Sequence, residues 1–345
     1  MRRTTRRLLL VAVLLAAGAA VIALIATYGG DWFPRKAAAP PANGVPARTV
    51  HVDPTTKSVA DAAAARSALD QFDEGQRLLA ADKPIEARTA LSAALLTDQL
   101  PADKADQARA ALEKLAERTI LSDSTFDGDV YTDRYRIKRG DSLQRIELAS
   151  RLHVPSELLE RINHISDPGK LMEGQTIKLI YGPFHAVVYK GQFVMDIYLQ
   201  PEGKPRLFIK RLPVGLGKNG STPVGAWHVR LGRPAISATQ GAEYQPSVAG
   251  KLTKARFDPP PNCEIDHSIN YGEPGYPFGE KGMFIPLEGD DENTSRMTNY
   301  GIHSTNDPAS IGKEGSLGCI RLRDNDIDLV FSLLYEKWST VETRP

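Results

Sequence analysis

Gly301-Ile302-His303-Ser304, followed by Gly315-Ser316-Leu317-Gly318-Cys319-Ile320-Arg321, is the stretch on which the reading of this chain turns. A histidine stands sixteen positions ahead of a cysteine, and the cysteine closes a Ser-x-Gly-Cys turn. A thiol at its ordinary pKa is mostly protonated at neutral pH. A nucleophilic cysteine therefore needs an imidazole, or peptide N–H groups aimed at sulfur, to form its thiolate. Glycine lets the backbone approach a reacting carbonyl closely. Around the pair, Tyr300 to His303 reads as a strand and Asp307 to Gly315 as a loop. Asp324 or Asp326 reads as the start of an amphipathic helix through Leu333.

Upstream, Phe184 to Tyr189, Gln192 to Leu199 and Arg206 to Val214 are short strand patterns separated by Gly/Pro/Lys-rich turns. Such spacing predicts a β-rich domain, mainly antiparallel, that closes as a sandwich or barrel. Gly215-Leu216-Gly217-Lys218 and Ser221-Thr222-Pro223-Val224-Gly225-Ala226-Trp227 follow. Together with the His and Cys motifs, these resemble the L,D-transpeptidase catalytic domain of bacterial cell-wall enzymes, over residues 183–342. The resemblance implies a mainly antiparallel fold with a terminal helix, no cofactor, and acyl transfer on peptidoglycan stem peptides. Cys319 would be the nucleophile, and His303 its base. The backbone carbonyl of Ser304 would orient His303. The N–H groups of Leu317, Gly318 and Cys319 would receive the oxyanion, and Ser316 and Arg321 would contact substrate. An amine acceptor would give a cross-link, whereas water would make the protein an L,D-carboxypeptidase.

One position departs from the family pattern: Leu317 stands where a histidine is usual. If that histidine steers substrate or tunes the thiolate, the change lowers or redirects turnover; if the position mainly packs, Leu fills the volume. A noncatalytic peptidoglycan-binding scaffold is the competing reading. Leu231 to Gly282 is rich in turn formers and reads as a lid or a surface excursion, with Tyr271, Tyr276 and Phe278 as candidate wall residues.

Residues 133–181 read as strand, helix, helix, strand. Tyr135 to Arg139 alternates into a Gly140-Asp141-Ser142-Leu143 turn that can cap a helix; a second helix ends near Asn163, and Gly174-Gln175 leads into the closing strand. This order and these residues resemble a LysM domain. The resemblance implies glycan binding between the loop at Gly140, Asp141, Ser142 and Leu143 and the loop from Asn163 to Met172. Turn and cap roles for Gly140, Asp141 and Asn163 are the plainer alternative.

Ahead of it, residues 58–122 are rich in Ala, Leu and charged residues at helical spacing, restarting at Lys83-Pro84 and Leu100-Pro101. Gly75 to Leu95 resembles one tetratricopeptide-like hairpin, expected either as a spacer packed on itself or as a docking place for a protein partner. Residues 29–57 read as a Pro/Ala-rich linker. In residues 1–28, four arginines precede an uncharged apolar run from Leu8 to Thr27, enough helix to span roughly 30 Å. The expectation is an inner-membrane anchor with the rest of the chain outside the cytoplasm, in the periplasm, or a secreted protein if the segment is a cleaved signal.

Composition narrows the partners. Of 345 residues, Lys and Arg number 43 and Asp and Glu 42, a balance that argues against a nucleic-acid surface. The seven histidines are scattered without a paired ligand box, so no metal is expected. Cys263 and Cys319 are the two cysteines; a bridge between them would block the nucleophile, and Cys319 is expected free.

Overall fold

The computed structural model describes residues 54–230, 254–256, 268–270, 283–297 and 300–345. The expected anchor, most of the linker, Cys263, Tyr271, Tyr276 and Phe278 lie outside the described residues. Among the described residues no helix is long and apolar enough to cross a membrane.

Three helices lead: α1 (Pro54–Ala80), α2 (Pro84–Leu96) and α3 (Ala102–Thr119). Pro84 sits in the first turn of α2, where a missing N–H costs nothing and the fixed φ favours the helix. Helix α1 starts at Pro54, inside the stretch read as linker.

The βααβ unit follows as β1 (Thr132–Arg136), α4 (Leu143–Ser150), α5 (Ser156–Ile162) and β2 (Thr176–Ile180). Its strands pair antiparallel, with Tyr135 opposite Ile177. The Ser142 side chain accepts from the Arg145 N–H and so caps α4. At the other end, Asn163 closes the unit: its Oδ1 accepts from the Lys178 N–H at 2.7 Å and its Nδ2 donates to the Lys178 carbonyl at 2.9 Å.

The last unit is built on β3 (Phe184–Tyr189), β4 (Val194–Leu199), β5 (Leu207–Pro213), β6 (Leu216–Gly217) and β7 (Gly225–Val229). Within the stretch expected to be a lid, β8 (Lys254–Arg256) pairs antiparallel with β9 (Ser268–Asn270). Then come β10 (Phe284–Gly289), β11 (Gly301–Ser304), β12 (Glu314–Ser316), β13 (Ile320–Leu322), α6 (Asp324–Leu333) and β14 (Thr340–Arg344). Eight strands form one sheet in the order β13-β11-β10-β7-β14-β3-β4-β5, and β12 and β6 form a separate pair. Five of its neighbouring pairs are antiparallel; β11 with β13 and β14 with β3 are parallel.

Two expectations change here. Helix α6 is not the terminal element, because the chain continues into β14, which joins β3 to β7 in the middle of the sheet. Nor are the leading helices a spacer packed only on itself. Phe72, Leu91, Leu112 and Leu115 form one buried cluster with Val187, Tyr198 and Phe208 of β3, β4 and β5. Each such side chain contributes roughly 1.5–3 kcal/mol on burial. Glu113 on α3 also accepts the Arg211 N–H at 3.0 Å.

Buried charges fasten the remaining seams. Arg88 of α2, fully buried, donates to Asp129 at 2.8 and 3.2 Å and to the Thr119 hydroxyl at 2.7 Å. Lys178 of β2, 2% exposed, donates from Nζ to the carbonyls of Thr119, Ser122 and Ser124 at 2.7, 2.9 and 2.7 Å. A cation thus meets the Thr119 carbonyl at the end of α3 and two carbonyls of the loop that follows it. A second apolar cluster runs from Ile146 and Leu158 of the βααβ unit through Phe184 and Ile197 to Ile302, Ile320 and Leu333.

Candidate active site

Strands β11 and β13 run parallel in a register that sets Ile302 opposite Ile320 and His303 opposite Arg321. Cys319, one residue before β13, therefore stands beside Gly301. A backbone hydrogen bond from Gly301 reaches the Cys319 sulfur and favours its thiolate. Gly301 is required on its own strand too: a Cβ there would lie 2.7 Å from the Ile285 carbonyl oxygen.

His303 is 5% exposed, and its Nδ1 lies 2.6 Å from the Ser304 carbonyl oxygen. A carbonyl only accepts, so Nδ1 carries the proton and Nε2 is left as the base. Burial pulls the His303 pKa down to about 4; the Ser304 bond opposes this and the Arg321 charge adds to it. Cys319 is half-buried and in no disulfide, and burial pushes its thiol up to about 11 against the Gly301 bond and the Arg321 charge. Burial thus favours the uncharged form of both groups, thiol and imidazole.

The turn that carries sulfur is held from two sides. Ser316, buried, donates its hydroxyl to the Cys319 carbonyl at 2.7 Å and accepts the Gly318 N–H at 3.1 Å. Thr222, also buried, donates to the Gly318 carbonyl at 2.8 Å and accepts the Gly217 N–H at 2.8 Å. Gly318 has φ +140°, and a Cβ on it would sit 2.6 Å from Cε1 of Tyr300. The Tyr300 hydroxyl donates to the Ser221 carbonyl at 3.3 Å. Arg321 exchanges both backbone hydrogen bonds with Gly215, at 2.8 and 2.9 Å, and its guanidinium is half-buried near Asp307 and Cys319.

Residues 185–342 match the family model of the L,D-transpeptidase catalytic domain (YkuD), and residues 135–179 match that of the LysM domain. The chain carries an L,D-transpeptidase catalytic domain behind a LysM domain. The YkuD protein of Bacillus subtilis, described as an L,D-transpeptidase, is 26% identical over 201 residues, which span 56% of this chain and 88% of that one. Its namesake in Bacillus licheniformis is 41% identical over 54 residues, covering 16% of this chain and 27% of its own. Among solved structures, an L,D-transpeptidase from Mycobacterium smegmatis is similar over 62% of this chain and 91% of its own, at 10% identity and a TM-score of 0.30.

The β11–β13 register sets His303 opposite Arg321 and Ser304 opposite Leu322, and the turn of Ser316, Leu317, Gly318 and Cys319 leads into β13 beside β11. Ser316 uses its hydroxyl inside the turn, where it holds the backbone, and the Gly318 N–H expected to receive the oxyanion donates to that hydroxyl. Leu317 does not fill a core position, being 60% exposed.

In the LysM domain, Asp141 accepts from the Lys138 N–H at 2.7 Å and the Tyr135 hydroxyl at 2.9 Å. Gly140 supplies a φ of +85°, Ser142 caps α4, Leu143 is buried, and Asn163 is tied to Lys178. The side chains of Asp141, Ser142 and Asn163 thus shape the two loops. Thr222 and Tyr300 also belong to the site: in the sequence one stands in a turn and the other at the start of a strand, and nothing local reports that they meet Gly318.

Proposed function

We propose that the protein is an L,D-transpeptidase of the bacterial cell envelope, anchored by its N-terminal segment with the catalytic domain outside the cytoplasm. Its cysteine would be acylated by a peptidoglycan stem tetrapeptide. The observation that carries this reading is the buried His303, fixed by Ser304 as the Nδ1–H tautomer on the strand beside Cys319.

The chemistry starts from the uncharged thiol and imidazole. Nε2 of His303 takes the thiol proton as sulfur attacks the carbonyl on the L-centre side of the diamino-acid residue. A carbon–sulfur bond forms, the carbonyl oxygen becomes an oxyanion, and the N–H groups of Leu317 and Cys319 stabilise it. The His303 proton passes to the leaving amine, the carbon–nitrogen bond breaks, and the terminal D-amino acid departs. An incoming amine then attacks the thioester, regenerating the thiol and leaving a cross-link or a modified stem. Arg321, cationic and half-buried near the sulfur, suits a substrate carboxylate.

The LysM domain supports placement on glycan strands, which raises the local concentration of stems. Incubating the full-length protein with a disaccharide tetrapeptide tests the whole reading by mass spectrometry. The expected products are free D-amino acid, a Cys319 acyl adduct that vanishes in Cys319→Ser, and cross-linked dimers. Trimmed monomers alone would make the enzyme an L,D-carboxypeptidase, and no adduct at all would leave a binding scaffold.

A further inference from the structure

We infer that the seam between the LysM and transpeptidase domains is a second saccharide-binding surface, on which the indole of Trp338 stacks against a ring of a long N-acetylated amino-sugar polymer. The inference rests on the LysM domain being a glycan binder and extends that binding to residues outside the LysM loops.

Trp338 lies in the connection between α6 and β14 and is 47% exposed. His153, from the link between α4 and α5, covers one face: the ring centroids are 3.6 Å apart and the planes 12° from parallel. The platform is therefore assembled from both domains. Its backbone is fixed as well, because the Trp338 N–H donates to the Tyr335 carbonyl at 3.2 Å and the Tyr335 N–H donates to the Ser339 hydroxyl at 2.7 Å. The Tyr335 hydroxyl ties this loop to the LysM domain through Glu147 of α4 at 3.2 Å. An indole held flat in this way gives up little freedom on meeting a ligand.

The surroundings point to sugar rather than to an apolar partner. A pyranose ring is apolar on its C–H face and polar around its rim, so it needs a flat aromatic beside groups that hydrogen-bond. The charges of Arg151 and Glu202 act on His153, and Lys337 adjoins the indole in sequence. An open trough of about 400 Å³ also follows α5, lined by Glu157, Glu160, Arg161, His164, Ile165 and Ser166. Ile165 and Ser166 of its lining belong to the loop expected to border sugar, and Glu157 acts electrostatically on Tyr335, three residues before Trp338. A glycan of several rings is the ligand that would touch both the LysM loop and the indole.

The test is calorimetric titration of the full-length protein with the disaccharide and the hexasaccharide of N-acetylglucosamine. Trp338→Ala is expected to weaken hexasaccharide binding roughly tenfold, the scale of one lost ring contact, and to leave disaccharide binding unchanged. Trp338→Tyr, which keeps a ring, is expected to restore most of the loss, and thermal melting separates lost binding from lost folding. Hexasaccharide affinity in Trp338→Ala within twofold of wild type would overturn the seam site while leaving the LysM reading intact. Wild-type protein that binds neither sugar would overturn both.

Discussion

The Thr222 hydroxyl donates to the Gly318 carbonyl at 2.8 Å, and this bond sets the direction of the neighbouring Cys319 N–H. The two groups share one planar trans peptide, so drawing the carbonyl toward Thr222 turns the N–H the opposite way. Ser316 fixes the adjoining peptides through the Gly318 N–H and the Cys319 carbonyl. Two buried hydroxyls therefore set the direction of the N–H proposed as an oxyanion donor.

Thr222→Val, which keeps the shape and removes the hydroxyl, should slow Cys319 acylation by about tenfold to a hundredfold, somewhat less than deletion of an oxyanion donor. Alkylation of the same thiol by iodoacetamide forms no oxyanion and should hardly change, and Thr222→Ser should recover acylation. Equal losses in both reactions would show that Thr222 only holds the turn together.

Gly318→Ala should be destabilising as well as inactivating. A Cβ would meet Tyr300 Cε1 at 2.6 Å in a backbone with φ +140°, a combination expected to cost roughly 1–3 kcal/mol. Urea unfolding measures this directly. Adding Tyr300→Ala to Gly318→Ala should relieve the clash but not the strain, so partial recovery of stability is the expected outcome.

Acid stability follows from His303. Its folded pKa of about 4 lies below its ordinary 6.5, so the unfolded chain binds the proton first. The resulting stability is fully present above pH 6.5 and is lost as pH falls through about 4. His185, which burial also holds near 4, adds to the same slope. Melting temperature measured from pH 7 to pH 4 should therefore fall less steeply in His303→Gln than in wild type, and an unchanged slope would remove His303 from the account.

Lys178→Met should loosen the joint between the leading helices and the LysM domain. It strips a donor from three carbonyls at 2.7–2.9 Å, for an expected loss of roughly 2–4 kcal/mol. Amide exchange should accelerate most around residues 119–124. If it accelerated equally throughout, the lysine would be supporting the fold as a whole rather than this seam.

What could be read from sequence was local. Ser142 announces a helix cap by its position after Gly140-Asp141, and Pro84 announces a helix start, because both act within one turn of chain. The His303 and Cys319 motifs stand out because reactive cysteines need particular neighbours close by. What stayed hidden depends on separation along the chain. Thr222 meets Gly318 across 96 positions, Lys178 meets Thr119 across 59, and β14 enters the sheet beside β3 from the far end. The leading helices gave no sign that Phe72 and Leu112 bury against Phe208, since an apolar helical stripe does not say what covers it.

Leu317 is the position where fold and chemistry separate most cleanly. Being 60% exposed, its side chain contributes little to packing, so Leu317→His should change stability by less than about 0.5 kcal/mol. An effect on turnover would then come from contact with the substrate or acceptor, or from a new imidazole near the sulfur. These differ in pH dependence. A histidine that contacts substrate should alter KM or the ratio of cross-linked to trimmed product at all pH values, whereas one that tunes the thiol should shift the pH profile of iodoacetamide alkylation. If stability, product ratio and alkylation profile all stay as in wild type, the side chain at 317 has no part in the reaction, and the Leu317 N–H alone matters at that position.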